Sequence, residues 1–236
     1  MKVRVLGSDA TSGSIAVSAD GLAWLQVNAA MRPPAPRQAV LLTDARLDHV
    51  AGLLGLRDGP ALELYCTPRV FEELTGEWPL LPVLDHYCGV HWHLLPIAGE
   101  QCSAEFRLPA CPGLRLRAIA VQGVPPPHSA RREDPAAGDT IALLIEDEHS
   151  GERLFHAPVL AQVGATEREW MARAHCVLVG SVNEPLAELG TLSAGRKLLT
   201  QLPADHPLRD RGGAARRQLD AHGIELAYDG MEFSLD

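Results

Sequence analysis

The feature that most constrains the fold of this chain is a series of short apolar segments, separated by turn residues, along its whole length. They are rich in Val, Ile and Leu and are bounded by Gly, Pro, Asp or Ser, which is typical of β-strands. The clearest local element is the stretch TIALLIEDEHSGERLFHAP, which predicts two strands joined by a tight hairpin at residues 149–151. The predicted strands are KVRVLG, SIAVSA, AWLQVNA, AVLLTD, ALELYCT, LRLRAIAVQG, TIALLIED, RLFHAP, CVLVGS, RKLLTQ, IELAYDG and EFSL.

Helical patterns lie between some of these strands. DHVAGLLGLRDG has apolar residues at helical spacing, with Asp48 as a plausible N-cap, and TPRVFEELTG has Pro near its start and Gly at its end. ATEREWMARAH and GGAARRQLDAHG complete the set. Consecutive strands with helices between only some pairs predict an α/β fold of the two-sheet sandwich type, in a single domain over residues 1–236.

Composition and motifs exclude several classes of function. The net charge is -9 and no run of Lys or Arg is longer than a pair, so nucleic acid is not an expected partner. No window holds the roughly 20 apolar residues that span a bilayer, and the first residues lack a signal-peptide pattern, so we expect a cytoplasmic protein without membrane contact. The sequence contains neither the G-x-S-x-G motif of serine hydrolases nor a P-loop. The 5 cysteines have no C-x-x-C pair and are expected to be free thiols.

Several segments together carry a family likeness, among them GSIAVSADGLAW, LLTDARLDHVAGLLGLRDG, CPGLRLRAIAV, PPPHSARREDPAAGDTIALLIED and HGIELAYDGMEFSL. On these the chain resembles the bacterial coenzyme PQQ biosynthesis protein B family, within the metallo-β-lactamase fold superfamily. The resemblance implies an αβ/βα sandwich, with two mixed β-sheets flanked by helices and a site at the sheet edges. It also implies a role in making pyrroloquinoline quinone (PQQ).

Two activities follow from the resemblance, and the residues leave both open. One is an iron-dependent oxidation, a hydroxylation, of the crosslinked Glu-Tyr precursor at a mononuclear metal site. The other is metal-free binding or transport of PQQ or its precursor. Other proteins of the pathway are possible partners in either case. β-Lactamase activity is not expected, because the first two histidines of the superfamily's ligand motif are replaced in this chain.

The metal-binding loop of the superfamily reads His-x-His-x-Asp-His, and residues 44–49 stand at these positions. The family keeps only the final Asp-His pair, so the resemblance assigns metal binding to Asp48 and His49. With one more ligand they would form the facial triad that holds Fe(II). A glutamine, Gln201, stands where the family's third ligand, a histidine, is expected, and His206 is the alternative. Asp48 could instead simply cap the helix.

Further residues are candidates for binding the substrate. His86 matches a family histidine, and Tyr87 could stack on a planar ring. The long proline-rich loop at residues 122–139 offers His128 and Arg131 as cations for a ligand rich in carboxylates, although Glu133 and Asp134 could neutralise its arginines.

Three other features complete the sequence-based prediction. Asp139 matches the family's Gly-Asp before a strand and could equally brace the turn. The pair His91 and His93 is expected to have a structural role. The family's cysteine-rich, zinc-binding insertion is missing from VLGSDATSGSIAVS, so no structural zinc is expected.

Overall fold

The computed structural model describes residues 1–8, 13–29, 38–123, 125–180, 189–203, 205–210 and 212–235. Within these ranges the strands form two seven-stranded sheets. The first sheet has the order β14-β1-β2-β3-β4-β5-β6, and the second has the order β13-β12-β11-β10-β9-β8-β7. The strands are β1 (Lys2–Gly7), β2 (Ser14–Ser18), β3 (Leu25–Val27), β4 (Ala39–Leu41), β5 (Leu62–Cys66), β6 (Val90–Leu94), β7 (Ser103–Arg107), β8 (Leu114–Ala120), β9 (Ile141–Asp147), β10 (Arg153–Ala157), β11 (Cys176–Gly180), β12 (Arg196–Thr200), β13 (Ile224–Leu226) and β14 (Glu232–Ser234).

Helices cover the outer faces of both sheets. Among the described residues they are α1 (Leu47–Val50), α2 (Pro68–Thr75), α3 (Leu80–Asp85), α4 (Ala165–Arg173) and α5 (Ala214–Ala221), with 3₁₀ turns at Ala51–Leu56 and Pro207–Arg209. None of the helices in this part of the chain is long and apolar enough to cross a membrane. Two mixed sheets flanked by helices confirm the predicted α/β sandwich.

Three apolar clusters hold these layers together. The central cluster joins the inner faces of the two sheets, through residues such as Val17 of β2 and Ile145 of β9. The other two pack α1 to α3 on the first sheet and α4 and α5 on the second. Every residue of β9 is buried, because its alternate side chains enter the central cluster and the cluster beneath α4 and α5. A strand covered on both faces has the continuous apolar sequence that β9 shows.

Local sequence signals account for the hairpin and for α2. Strands β9 and β10 pair antiparallel around residues 148–152, so the predicted hairpin is confirmed. Helix α2 has Thr67 as its N-cap, whose hydroxyl accepts a hydrogen bond from the Val70 amide at 3.3 Å, followed by Pro68 at the first helical position. The C-cap is Gly76, as the pattern predicted.

Three elements, α1, α3 and β7, differ from the sequence-based expectations. Helix α1 has Arg46 at its N-cap, and Asp48 is its second residue, so the prediction of Asp48 as the N-cap is wrong. Helix α3 and strand β7 were not predicted. The prolines at 79 and 82 obscured the helix, while the polar, half-exposed SAEFR lacks the apolar pattern of the other strands.

The parallel parts of both sheets end at one edge of the sandwich. Strands β3 to β6 are parallel in the first sheet, and β10 to β13 are parallel in the second. The sheets are linked near the carboxyl end of β4, where the Ile141 amide donates a hydrogen bond to the Thr43 carbonyl at 2.9 Å and Asp44 forms a bridge with Thr140. In α/β folds, such carboxyl ends are where ligands commonly bind.

Candidate functional site

A buried polar network follows β4 and fixes the loop that carries the predicted motif. Asn28 has the unusual φ of +58° and directs its side chain at Thr43, whose amide donates to Asn28 Oδ1 at 2.9 Å. The Thr43 hydroxyl contacts Asp44 Oδ2 at 2.9 Å, and the Arg46 amide donates to Asp44 Oδ1 at 2.9 Å. The Asp44 carboxylate is therefore held in one orientation before helix α1 begins.

Asp44 and His49 form a buried pair at the centre of this site. His49 Nδ1 lies 2.8 Å from both carboxylate oxygens of Asp44, and neither residue is more than 1% exposed. Burial pushes the pKa of Asp44 upward, but the charge of His49 and its hydrogen bond outweigh this effect, helped by the Arg46 amide and the Thr43 hydroxyl. The pKa of Asp44 consequently lies below its ordinary value, and the carboxylate is charged.

Gln201 covers the other ring nitrogen of His49. Its side-chain amide lies 2.5 Å from His49 Nε2, and its backbone has φ of +60°, in the left-handed region. Its hydrogen bonds are best satisfied when the amide oxygen accepts from His49 Nε2 and from the Gly13 amide, while the amide nitrogen donates to the Pro158 carbonyl. In this orientation hydrogen bonds engage both ring nitrogens of His49.

Two glycines make the space that the Gln201 side chain fills. A Cβ atom at Gly13 or at Gly180 would overlap the Gln201 amide, and at Gly180 it would also overlap the Pro158 carbonyl. The first glycine precedes β2 and the second ends β11, so both sheets contribute to the slot. The slot thus holds the amide against His49.

A second buried histidine, His156 on β10, lies in the same region and was missed by the sequence analysis. Its Nδ1 contacts the Leu178 carbonyl at 3.1 Å, whereas its Nε2 has no hydrogen-bond partner within the described chain. Burial lowers the pKa of His156 to about 4, and nearby His49 acts in the same direction. A histidine inside an apolar strand, RLFHAP, was the only signal in the sequence.

The predicted metal ligands do not converge as a set. Asp48 is partly exposed, at 21%, and lies 3.8 Å from Arg46. His206 is the N-cap of the second 3₁₀ turn, where its Nδ1 accepts from the Leu208 amide at 3.2 Å. Gln201, rather than His206, therefore faces His49. No group of three His, Cys, Asp or Glu side chains that could hold a metal occurs among the residues the structure describes.

The proline-rich loop is attached to helix α2, and this attachment occupies its predicted ligand-binding residue Arg131. The guanidinium contacts Glu72 at 2.5 Å and Glu73 at 3.1 Å, so neutralisation comes from α2 and not from Glu133 or Asp134. Salt bridges with Glu72 and Glu73 raise the pKa of Arg131 above its ordinary value. The Arg131 guanidinium is therefore already paired with carboxylates of the protein.

The other two predicted residues of this loop also have partners within the protein. His128 is exposed and packs edge-on against Trp78 at 5.9 Å. Asp139 accepts hydrogen bonds from Arg69 at 3.1 Å and from the Ala136 amide at 2.6 Å, which braces the turn. These contacts are those of a residue that braces the turn before β9.

His86 and Tyr87 lie away from His49. They follow α3 and precede β6, close to where the Leu62 amide at the start of β5 donates to the Gly89 carbonyl. Since β4, β5 and β6 are parallel, this is the opposite end of the sheet from residues 44–49. The structure therefore does not bring His86 and Tyr87 together with His49.

His91 and His93 project from the same face of edge strand β6 toward one carboxylate. Glu63 Oε1 lies 2.7 Å from His91 Nδ1, and Glu63 Oε2 lies 2.5 Å from His93 Nε2. These hydrogen bonds lower the pKa of Glu63, and the one with His93 has the larger effect. His93 also stacks on Tyr65 at 4.4 Å between ring centroids. Both histidines have partners in the sheet.

Comparison with known proteins first defines the class. A model of the beta-lactamase superfamily domain matches residues 16–204. The crystal structure of Zn(2+)-bound PqqB from Methylobacterium extorquens is similar over 100% of both chains, with a TM-score of 0.81 and 25% identity. A diphosphatase of the PhnP family shares the fold, with a TM-score of 0.69 and 15% identity. The chain is a member of the beta-lactamase superfamily.

Sequence relatives narrow this class. Coenzyme PQQ synthesis protein B from Pseudomonas aeruginosa (strain UCBPP-PA14) is 36% identical over 270 residues, which cover 95% of this chain and 88% of that protein. The same protein from Azotobacter vinelandii (strain DJ / ATCC BAA-1303) is 36% identical over 271 residues, with the same coverage. The chain therefore belongs to the coenzyme PQQ synthesis protein B family.

Proposed function

We propose that this chain acts in PQQ biosynthesis as a binding protein, which takes PQQ or its Glu-Tyr-derived precursor at the His49 edge without a tightly held metal. The observation that carries the proposal is the contact of the Gln201 amide with His49 Nε2. Asp44 already occupies the Nδ1 side. Both nitrogens of the central histidine are thus engaged by the protein itself.

The chemistry of the donor set does not fit the mononuclear iron that the resemblance implies. A histidine binds a metal through an unprotonated nitrogen, and here hydrogen bonds occupy both nitrogens of His49. Of the other candidates, Asp48 is a single carboxylate, and the neutral amide of Gln201 is a weak ligand compared with imidazole.

The same pair of residues suits hydrogen bonding to an acidic or quinone ligand. Asp44 orients the ring of His49 and balances its charge, and the Nε2–H group donates to the Gln201 oxygen. A carboxylate or quinone oxygen of a ligand accepts the same hydrogen bond when the Gln201 side chain turns away. His49 would then position the ligand, with Gln201 as the group that the ligand replaces.

Iron-dependent oxidation of the precursor is the second candidate, and one observation favours it. A metal-binding histidine commonly donates its other ring N–H to a carboxylate, which is how His49 Nδ1 meets Asp44. A relative in the same family, from Methylobacterium extorquens, was crystallised with Zn(2+). The two candidates differ in whether Nε2 is free to bind a metal.

Metal retention in a Gln201→His variant separates the candidates. Protein loaded anaerobically with Fe(II) and desalted should retain far less than one iron per chain in the wild type, measured by mass spectrometry. Gln201→His should raise retention toward one, because imidazole replaces a weak ligand. His206→Ala, which leaves the Gln201 contact intact, is the matched control. Stoichiometric iron in the wild type that is lost in His49→Ala would overturn the metal-free proposal.

A further inference from the structure

A groove of about 580 Å³ lies beside the Gln201 segment, at the same edge of the second sheet. Its walls come from the turn after β12, from α5 and from the chain between β13 and β14. The volume falls in the range of sites that hold small organic ligands. The side chains that matter for recognition are Arg209, Arg216, Asp220, Glu225 and Tyr228.

Both walls of the groove are tied to Gln201. The Arg209 guanidinium donates to the Leu202 carbonyl at 2.8 Å and to the Pro203 carbonyl at 3.0 Å, directly after Gln201. On the other side, the Asp229 carboxylate accepts two hydrogen bonds from Ser8 at 2.8 Å. The Ser8 carbonyl in turn accepts a hydrogen bond from the backbone N–H of Gln201 at 2.8 Å. A ligand in this groove therefore lies against the segment that covers His49.

The charges in the groove leave one cation without a carboxylate. Glu225 is bound by both Nε and Nη2 of Arg196, at 3.0 and 2.9 Å, and Asp220 is bound by Arg216 at 3.0 Å. Arg209 donates only to neutral carbonyls, and no carboxylate of the described chain lies within ion-pair distance of it. In a protein with a net charge of -9, such an arginine is an attractive point for an anion.

Tyr228 adds an aromatic surface to the groove. Its side chain is 61% exposed, although it lies on a wall of the groove. Tyrosine rings stack on planar ligands, and an arginine fork binds a carboxylate with two hydrogen bonds. An arginine and an open ring in one groove match a planar aromatic molecule with carboxylate groups.

We propose that this groove binds the carboxylates and ring of an acidic aromatic ligand, with Arg209 as the anion-binding residue and Tyr228 as the stacking surface. The inference rests on the proposed function, since such a ligand is of the same chemical class as PQQ, a tricarboxylic quinone. It gives Arg209 the role that the sequence assigned to Arg131, which Glu72 and Glu73 neutralise. The ligand thereby lies next to Gln201.

Calorimetric titration of the full chain with PQQ tests the inference. Arg209→Gln should raise the dissociation constant for PQQ about 10-fold or more, because it removes a charge-assisted hydrogen bond. Tyr228→Ala, which leaves the contacts of Arg209 with Leu202 and Pro203 intact, should raise it several-fold. Arg57→Gln is the matched control, because Arg57 is also exposed and donates to a carbonyl, that of Leu54, and its affinity should equal the wild type.

Two further readouts separate ligand binding from a structural effect. Binding by the wild type should weaken as salt is raised, and this dependence should be smaller in Arg209→Gln. Citrate, which carries carboxylates without a ring, should fail to displace PQQ at equal concentration. If the wild type binds PQQ and both Arg209→Gln and Tyr228→Ala bind it equally well, the groove proposal is overturned. If the wild type does not bind PQQ at all, the proposed function itself fails.

Discussion

Replacement of Asp44 by asparagine tests the buried pair on which the site depends. The carboxylate accepts hydrogen bonds from Thr43, from the Arg46 amide and from His49, all at 2.8 to 2.9 Å. Asparagine keeps the shape but has one accepting oxygen and adds an NH₂ group that faces donors. Loss of the charged partner from a buried, hydrogen-bonded pair costs about 3–5 kcal/mol, because the groups that faced the charge stay buried without it.

The cost is large compared with the total stability of a domain of this size. Typical domains unfold with about 5–15 kcal/mol, so Asp44→Asn should remove a substantial part of the free energy of unfolding. In urea, with a slope of about 2–3 kcal/mol per M, the midpoint should fall by about 1–2 M at neutral pH. Asp58→Asn, whose carboxylate is 80% exposed beside Arg57, is the matched control and should unfold at the wild-type midpoint.

The dependence on pH gives the same prediction an independent check. The pKa of Asp44 in the folded state lies below the ordinary value of 3.8, so the unfolded chain takes up this proton first as pH falls. The stabilisation is therefore present above the unfolded pKa and is lost as pH falls through the folded pKa. The difference in the free energy of unfolding between wild type and Asp44→Asn should have its full value at pH 7. It should shrink below about pH 4. A change of less than about 1 kcal/mol in the free energy of unfolding at pH 7 would refute a charged, buried Asp44 as the partner of His49.

Three further predictions concern other parts of the structure. Gly180→Ala should lower the free energy of unfolding by about 1–3 kcal/mol, since its Cβ would overlap the Gln201 side-chain amide. Gly55→Ala, at a position with open space, should leave the free energy of unfolding unchanged. Equal urea midpoints for the two variants would contradict this prediction. Because the folded pKa of His156 is about 4 and its ordinary value is 6.5, stability should decline as pH falls from about 6.5 to 4, and His156→Phe should flatten that decline in thermal melts. Burial raises the pKa of Cys66 to about 12, so at pH 8 Ellman's reagent should label exposed Cys102 and leave Cys66 unreacted until the protein unfolds; labelling at equal rates would be the contrary result.

The fold was largely predictable because its main elements carry local signals. The apolar run of β9, the turn that follows it and the Pro and Gly residues that bound α2 each specify an element without tertiary information. Strand β6 and strand β7 were harder to recognise, because they are sheet edges with half-exposed, polar sequences. Their pairing partners, rather than their own composition, make them strands.

The site was less predictable, because its contacts join distant segments. Asp44 stood at a motif position where the superfamily has a histidine, and nothing in the sequence showed that the chain turns back to place its carboxylate on His49. Arg131 looked available beside acidic neighbours in its own loop, but its partners lie 58 and 59 residues away on α2. Gln201 was placed by the resemblance alone, and its contact with His49 spans 152 residues.

The most direct test of the central claim is a titration of the chain with PQQ after a chelator has removed all divalent metal. If the Gln201 amide stands where a metal ligand would be, binding should be saturable, with one PQQ per chain, and should be unchanged when Fe(II) or Zn(II) is added back. His49→Ala should weaken it, since the Nε2–H donor is lost. PQQ binding that appears only after metal is restored, or no binding up to about 100 μM ligand, would contradict the account.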